Sequence, residues 1–499
     1  MAWRESQSLA SSIGGGSNAP CALDETTPHR AKTLAEAGSF RDWDGRIFTA
    51  DSGILRALTS SGLAEWKALE GTDFFARFTE SGELVLTQET DDEAVQAVRR
   101  ADPEGGWVGA LTHERLPFVS YPYEWSFSML KDAALLQLRL MSAALAEGFV
   151  LKDASPYNVQ WRGSQPVFID LGSFERVRGG EPWAAYRQFC MLCLYPLMLE
   201  AYRGVPFQPW LRGSIDGITP SDFRALFAAR DAFRPGMVRD VFLHASLERR
   251  YADRGAEVKR ELRAAGFDAR VIEATVARLA RLVARLRSRA AESAWEHYRR
   301  TCSYTDLDTD AKERFVRRSV EQRSRSLVWD LGCNDGRYAR IASDHAAFTV
   351  AIDSDRGVVD ALYSSLRSER NRGILPLVAD LADPSPSLGW RQRERLTLLH
   401  RGKPDLVLCL ALVHHLSVSR NVPLREIVDW LGDLDCEIVV EFAGREDPMV
   451  QRLLSGKRTD AHPDYDRATF EHLLEARFEV LDELELPSST RTLYFARPR

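Results

Sequence analysis

The segment LVWDLGCNDGRYARIA, which begins at Leu327, constrains the fold of this 499-residue chain more than any other feature. Its apolar run predicts a buried strand that ends at Asp330, and the residues after Gly336 predict a helix. Glycine permits a sharp turn and the close approach of a ligand at Gly332 and Gly336, and Asn334 tolerates the left-handed conformation. The segment therefore predicts a strand–loop–helix unit that binds a ligand over its loop.

Two further predicted strands, AAFTVAID and ILPLVAD, end in the acids Asp353 and Asp380. Because ligands of open α/β sheets bind at the carboxyl ends of parallel strands, we expect Asp330, Asp353 and Asp380 to border one crevice. Acids there would repel a pyrophosphate and suit a cationic amine, and the carboxylate of Asp353 can accept both hydroxyls of a ribose. The pattern favours a nucleoside ligand.

A fourth predicted strand, PDLVLCLALVHHL, leads to His414 and His415, and a fifth, CEIVVEF, leads to Glu441. An imidazole that titrates near neutral pH can take a proton from an acceptor hydroxyl, although a histidine at a strand end also serves as a structural cap. Glu441 either hydrogen-bonds a substrate or pairs with Arg445. These three residues are the candidate catalytic residues.

With these motifs the C-terminal third resembles the class I S-adenosylmethionine-dependent methyltransferases. The resemblance implies an α/β fold with a Rossmann-like seven-stranded sheet over residues 323–499, and S-adenosylmethionine as the cofactor. It implies that Asp353 holds the ribose and that Asp380 with Leu381 borders the adenine. The cofactor-binding residues that it implies are Asp330, Gly332, Asn334, Gly336, Asp353, Asp380 and Leu381.

The segment LKDASPYNVQWRGSQPVFIDLGSF, residues 151–174, resembles the catalytic and metal loops of protein-kinase-like phosphotransferases. Asp153 matches the base, and Asn158 and Asp170 match the residues that would hold Mg²⁺ if the site binds Mg-ATP. The resemblance implies a two-lobed α+β kinase-like domain over residues 39–240, with a small lobe at 43–120 and a large lobe at 126–240.

Two departures from that kinase pattern favour a degenerate domain. Leu151 replaces the usual histidine, and the sequence has neither a glycine-rich phosphate loop nor a lysine in the strand LVLTQ, where an anchoring lysine is expected. The alternative is that Lys152 substitutes for that lysine and phosphoryl transfer persists. The third reading is a binding module that recruits a protein partner or carrier.

The rest of the chain is less informative. Few large apolar side chains in residues 1–38 predict a flexible tail, and residues 241–322 predict a helical connector. The stretch at 381–404 exceeds ordinary loop lengths and predicts a helical lid in which Trp390 covers adenine or fills a core. A net charge of -6 makes nucleic acid an unexpected partner, and without a signal peptide or an apolar run near ~20 residues we expect a cytoplasmic protein with no membrane span.

The combined layout, from YPYEW through LALVHHL to TRTLYF, is similar to the rhizobial nodulation methyltransferase family. The similarity covers nearly everything after residue 40. The leading hypothesis is methyl transfer to an oxygen of a carbohydrate, a phosphorylated glycan or a small metabolite. The alternatives are a bifunctional kinase–methyltransferase and a binding protein.

Overall fold

The structure is a computed structural model that describes residues 33–51, 53–178, 181–246, 269–289, 304–458 and 462–499. Most of the predicted tail at 1–38 and much of the predicted connector at 241–322 lie outside these residues. We call residues 33–289 the N-terminal half and residues 304–499 the C-terminal half. Within the described residues, no helix is long and apolar enough to cross a membrane.

The N-terminal half begins with a five-stranded antiparallel sheet in the order β1-β2-β3-β5-β4. Its strands are β1 Leu34–Ala35, β2 Gly45–Ala50, β3 Gly53–Leu58, β4 Thr87–Glu89 and β5 Gly109–His113. Three helices connect them, namely α1 Ser60–Glu70, α2 Asp73–Glu80 and α3 Asp92–Ala101. Each helix begins after a polar residue whose side chain accepts a backbone N–H, which satisfies one of the free donors at a helix start.

The rest of the N-terminal half is mainly helical and is organised around α4, Phe127–Ala146. Leu130, Ala134, Leu138 and Met141 recur at helical spacing and are buried on one face of this helix. Two small two-stranded antiparallel sheets follow, one of β6 Phe149–Leu151 with β9 Phe174–Arg176 and the other a hairpin of β7 Val159–Arg162 with β8 Gln165–Phe168. The remaining helices are α5 Tyr186–Phe189, α6 Tyr195–Arg203, α7 Gln208–Gly213, α8 Pro220–Ala225 and α9 Ala269–Arg285.

The C-terminal half is an α/β unit, as predicted. Its strands are β10 Arg325–Leu331, β11 Ala346–Asp353, β12 Ile374–Val378, β13 Leu406–Cys409, β14 Glu437–Ala443, β15 Phe478–Glu485 and β16 Arg491–Pro498. They form one sheet in the order β12-β11-β10-β13-β14-β16-β15, in which β10 to β14 are parallel and β16 runs antiparallel to both neighbours. The helices are α10 Asp306–Glu321, α11 Arg337–Ser343, α12 Arg356–Ser368, α13 Leu424–Asp433, α14 Pro448–Leu454 and α15 Arg467–Arg477.

The strand order reverses between β10 and β13. In open α/β sheets such a switch point leaves a crevice outside the carboxyl ends of the strands, because the connections on its two sides lead to opposite faces. The loops after β10, β11, β12 and β13 therefore meet at one edge of the sheet.

The two halves share one apolar core. Phe118 packs edge-on against Trp329, with ring centroids 6.2 Å apart, and Trp161 packs in the same way against Tyr363 at 5.6 Å. All four side chains are buried and belong to one cluster that continues through both halves. The C-terminal half therefore uses aromatic side chains of the N-terminal half to complete its core.

The prediction of a helical lid at 381–404 is wrong. The segment has only two single helical turns, Trp390–Gln392 and Leu398–His400, and Trp390 is 67% exposed. Pro384 and Pro386 lack the N–H groups that a helix needs. The segment lies instead against the N-terminal half, where the Leu396 N–H donates to the Tyr121 hydroxyl at 2.7 Å.

Candidate active site

A cavity of about 580 Å³ opens at the switch point of the C-terminal sheet. The predicted site residues that line it are Gly332, Asn334, Asp353, Asp380, Leu381, His414 and His415. Three other predicted residues, Asp330, Gly336 and Glu441, are not part of its lining. Strand-end position therefore brings most of the predicted residues to one crevice.

The loop after β10 is held in a tight turn by its backbone. The N–H groups of Gly332 and Cys333 both donate to the carbonyl of Ile352, and Gly332, Asn334 and Gly336 all have positive φ angles. A methyl group on Gly332 would make ordinary van der Waals contacts, with Leu412 Cδ1 at 3.5 Å, Leu412 Cβ at 3.8 Å and the Leu410 carbonyl oxygen at 4.0 Å. At Gly332 the requirement for glycine therefore comes from the positive φ angle and not from a steric clash.

Gly336 has a different role from the one expected of a cavity-lining glycine. A methyl group there would lie 2.5 Å from a terminal carbon of Leu362 on α12. Gly336 therefore permits the loop to pack against α12 and has no contact with the cavity.

The carboxylate of Asp353 is the best-placed polar group of the crevice. Its two oxygens accept the backbone N–H groups of Asn334 and Asp355, at 3.0 and 2.9 Å, which fixes the orientation of the side chain. Burial raises its pKa, although these hydrogen bonds oppose the shift. A carboxylate oxygen has further lone pairs, so both oxygens can still accept hydrogen bonds from a ligand.

The other two strand-end acids differ from Asp353 in their surroundings. Asp380 lines the cavity, accepts the Ala382 N–H at 3.0 Å and forms an ion pair with Arg420. Asp330 is buried beneath the loop, and burial raises its pKa to about 7 even though Lys312 opposes the shift. The three predicted acids therefore converge, but only two of them face the cavity.

The two histidines lie side by side at the end of β13, with ring centroids 4.4 Å apart. His414 is 1% exposed, and burial, together with His415 and Arg491, lowers its pKa to about 3. Burial and Arg491 also lower the pKa of His415. Both rings are therefore neutral near pH 7. Rings with lowered pKa values are better suited to hydrogen-bonding a bound substrate than to taking up a proton from it.

Glu441 lies behind the cavity wall and is fully buried. One oxygen pairs with Lys312 at 2.6 Å and accepts the Ala411 N–H at 3.1 Å, and the other accepts from Tyr304 at 2.6 Å and Arg491 at 3.0 Å. Burial alone would raise its pKa, but Lys312 and Arg491 lower the pKa to about 2. Its oxygens are engaged by the protein and do not reach the cavity.

Sequence reasoning missed Tyr304, Lys312 and Asp447 in this network. Tyr304 and Arg491 line the cavity, and Arg491 also forms a bidentate pair with Asp447 at 2.7 and 3.0 Å. Lys312 is 2% exposed although it stands in the highly charged helix DLDTDAKERFVRR. The only sequence signal is that α10 has an apolar face at Phe315 and Val316, which turns the neighbouring positions inward.

Three buried polar atoms around the crevice have no hydrogen-bond partner in the described structure: Asp330 Oδ2, Asn334 Oδ1 and His414 Nδ1. Unpaired buried polar atoms are costly and therefore rare in native proteins. Asn334 and His414 line the cavity, whereas Asp330 lies outside its lining.

In the N-terminal half, Asp153, Asn158 and Asp170 also come together. The Asn158 amide donates to the Ser173 hydroxyl at 3.1 Å, and that hydroxyl donates to Asp170 at 2.5 Å. Burial raises the pKa of Asp153, and the nearby Asp170 adds to the shift. Their grouping follows from the loops that precede β7 and follow β8.

A cation that sequence reasoning missed occupies the position beside Asp170. Arg56, on the third strand, pairs with Asp170 at 2.9 Å and is itself buried. The strand GILRAL, β3, therefore supplies this cation, and the segment LVLTQ does not. Among the described residues, no group of three or more His, Cys, Asp or Glu side chains is arranged to hold a metal ion.

Five parallel strands followed by an antiparallel pair, with acids at the strand ends around a switch-point crevice, define an α/β protein of the class I methyltransferase fold. The chain belongs to the family of the nodulation protein NoeA of Rhizobium meliloti (strain 1021). It is 34% identical to that protein over 464 residues, which cover 92% of this chain and 95% of the relative. No protein-family model matches the chain.

Solved structures similar to this chain include the N-methyltransferase NodS from Bradyrhizobium japonicum WM9 in complex with S-adenosyl-L-homocysteine. It is 15% identical, with a TM-score of 0.29, over 40% of this chain and 90% of that one. Magnesium protoporphyrin IX methyltransferase (ChlM) from Synechocystis PCC 6803 with bound S-adenosylhomocysteine is 16% identical, with a TM-score of 0.29, over 41% of this chain and 92% of that one.

Proposed function

We propose that the chain is an S-adenosylmethionine-dependent methyltransferase whose donor binds in the crevice at the end of the C-terminal sheet. The observation that carries the proposal is the cavity lined by Asp353, Asp380 and the loop at Gly332, with unpaired polar atoms on its wall. A cavity of about 580 Å³ has room for a nucleoside ligand together with part of an acceptor.

The residues fit the donor part by part. Asp353 would accept the ribose hydroxyls, because both its oxygens are oriented and retain free lone pairs. Asn334 Oδ1 is an unpaired acceptor suited to the cationic amine. Asp330 lies outside the cavity lining, and with its pKa raised to about 7 by burial it is only partly ionised near neutral pH. Asp380 and Leu381 would border the adenine, with Asp380 accepting from the exocyclic amine.

The protein contributes orientation more than chemistry. The donor supplies a methyl group on a sulfonium, which is already activated, so a nucleophilic residue is not required. His414 and His415 would accept a hydrogen bond from the substrate that receives the methyl group, and so orient the lone pair of its attacking atom. Their lowered pKa values keep both rings neutral for this role. Glu441 acts as a positioning residue, because it holds the backbone of Ala411 and the hydroxyl of Tyr304.

The end of the cavity that would hold the methyl-accepting substrate favours a substrate with an acidic group. Met449, Arg452 and His415 line this end, and Arg452 is exposed and forms no ion pair within the described parts of the chain. Of a carbohydrate, a phosphorylated glycan and a small metabolite, this charge supports a phosphorylated or carboxylated acceptor that is methylated on oxygen. Transfer of labelled methyl groups to phosphorylated but not dephosphorylated glycan fractions, weakened by Arg452→Met, would support it.

Calorimetry with S-adenosylmethionine tests the donor assignment. The wild type should bind, Asp353→Ala should weaken binding at least about tenfold because two charge-assisted hydrogen bonds are lost, and Asp344→Ala, on the exposed end of α11, should bind as the wild type does. No binding by the wild type, or equal binding by Asp353→Ala, would overturn the proposal.

For the N-terminal half we propose a binding role and not phosphoryl transfer. The buried guanidinium of Arg56 pairs with one oxygen of Asp170 and the Ser173 hydroxyl donates to the other, so Mg²⁺ would have to bind beside a fixed positive charge. Mg-ATP should therefore neither bind in calorimetry nor be hydrolysed. ATP turnover that Asp170→Ala abolishes would instead establish the bifunctional alternative, with Asp153, Asn158 and Asp170 as its site.

A further inference from the structure

The adenine side of the crevice continues into a contact with the N-terminal half. Two residues beyond Leu381, the chain turns at Asp383 and Pro384. Arg212 on α7 donates to both carboxylate oxygens of Asp383 at 3.1 Å and to the carbonyl oxygens of Asp383 and Pro384 at 3.3 Å. One guanidinium thus makes four hydrogen bonds to a turn that follows the cavity wall.

The ribose side of the crevice has a second contact of this kind. Asp355 lines the cavity and caps α12, and the next residue, Arg356, lies 3.3 Å from the buried Glu200 of α6. One turn further along α12, Asp360 accepts the N–H and the hydroxyl of Ser128 at 2.7 and 3.1 Å. Both cofactor-facing walls therefore continue into residues held by the N-terminal half.

The Arg212 contact is built for orientation and contributes little to stability. Its side chain is 32% exposed and that of Asp383 is 75% exposed, and ion pairs this exposed add little to the free energy of unfolding. A planar guanidinium that grips a carboxylate with two parallel bonds nevertheless fixes direction as well as distance. Between Val378 and Trp390 the chain forms no regular helix or strand, so side-chain contacts, Arg420 with Asp380 and Arg212 with Asp383, help to determine where the wall lies.

We propose that Arg212 is a positioning residue for the methyl-donor site, which makes the N-terminal half a working part of that site. By holding the turn at Asp383, Arg212 fixes the wall at Asp380 and Leu381 before the donor arrives, and so reduces the ordering that binding requires. The inference rests on the proposed function, because it assigns the adenine to this wall.

The test compares three full-length variants with the wild type. Arg212→Met removes the contact. Arg212→Lys keeps a positive charge but lacks the planar guanidinium that makes two parallel hydrogen bonds. Arg367→Met is the matched control, because it removes another ion pair between the halves, Arg367 to Asp132 at 3.3 Å, with a comparable exposure of 41% at the arginine. Calorimetry gives the Kd for S-adenosylhomocysteine, thermal melting gives Tm, and hydrogen exchange follows the peptide over residues 378–388.

Arg212→Met should raise the Kd about three- to tenfold, Arg212→Lys should recover part of that loss, and Arg367→Met should leave the Kd unchanged. Tm should be similar in all variants, and only Arg212→Met should speed exchange in residues 378–388. In about 1 M salt the Kd ratio should approach one, because the pair is exposed.

Two results would overturn the inference while the donor assignment stands. One is a wild-type Kd in Arg212→Met, and the other is an equal rise in Arg367→Met, which would indicate general loosening of the two halves. If the wild type itself binds no S-adenosylhomocysteine, the proposed function fails, and the role of Arg212 at a donor site fails with it.

Discussion

The carboxylate of Glu124 and the guanidinium of Arg401 form a bidentate ion pair, with both N–O distances at 2.6 Å, although 277 residues separate them along the chain. Their side chains are 3% and 1% exposed. Glu124 also accepts the N–H of Tyr121, and Arg401 donates to the carbonyl of Val119. A desolvated and fully hydrogen-bonded pair therefore joins the two halves at the end of the segment 381–404.

Glu124→Gln should destabilise the whole chain. The substitution leaves the guanidinium of Arg401 buried without its counter-charge, which costs about 3–5 kcal/mol of the free energy of unfolding. Urea unfolding measures this loss. Lys403→Met, which removes the exposed pair between Lys403 and Asp435, serves as the control and should cost about 0–1 kcal/mol. Equal losses in the two variants would contradict a special role for the buried pair.

The network around Glu441 should behave as a coupled unit. Lys312→Met and Glu441→Gln should each cost about 3–5 kcal/mol of unfolding free energy, because each leaves buried charge unbalanced. The double variant should cost less than the sum, with a coupling energy of at least about 1 kcal/mol. A double-mutant cycle from urea unfolding gives that value, and strict additivity would show that the two charges do not interact.

Gly163 should be more sensitive to a methyl group than Gly148. Both have positive φ angles, so Ala at either position carries a similar backbone strain, of about 1–3 kcal/mol. At Gly163 the added carbon would lie 2.5 Å from the backbone of Arg372 in the C-terminal half, whereas at Gly148 nothing lies within 4 Å. Gly163→Ala should therefore cost about 1–3 kcal/mol more. Equal unfolding free energies would show that the β7–β8 hairpin can move away from Arg372.

Acid should destabilise the fold through its buried histidines. Burial lowers the pKa of both His113 and His414 from 6.5 to about 3, so the unfolded chain binds more protons between those values. Stability is fully present above pH 6.5 and is lost as the pH falls toward 3, by about 2 kcal/mol per histidine at pH 5. His113→Gln should flatten the pH profile of Tm by one such share, whereas the exposed His472→Gln should leave it unchanged.

Sequence was sufficient to find the strand ends but not the buried partners. Asp353 and Asp380 could be predicted because an apolar run precedes each, and parallel strands bring their carboxyl ends together. Lys312, Glu441 and Arg491 come from three distant segments, and their contacts depend on the assembled sheet. Periodicity within one segment carries no information about such pairing.

The assigned chemistry of the histidines also depended on the structure. From the sequence alone we expected His414 to titrate near neutral pH, because an unperturbed imidazole does so. Its lowered pKa results from the packing of β13 and from Arg491, neither of which the sequence displays. Arg56 was missed for a related reason, since only the order of the strands shows which one faces Asp170.

The shared aromatic core has a consequence for inheritance. Trp161 and Tyr363 pack against each other across the boundary between the halves, so a change in the size of one ring alters the space available to the other. Recombination that replaced only one half with an unrelated domain would separate such pairs and leave cavities on both sides. Descendants of this chain are therefore expected to inherit the two halves together, with compensating substitutions across the boundary.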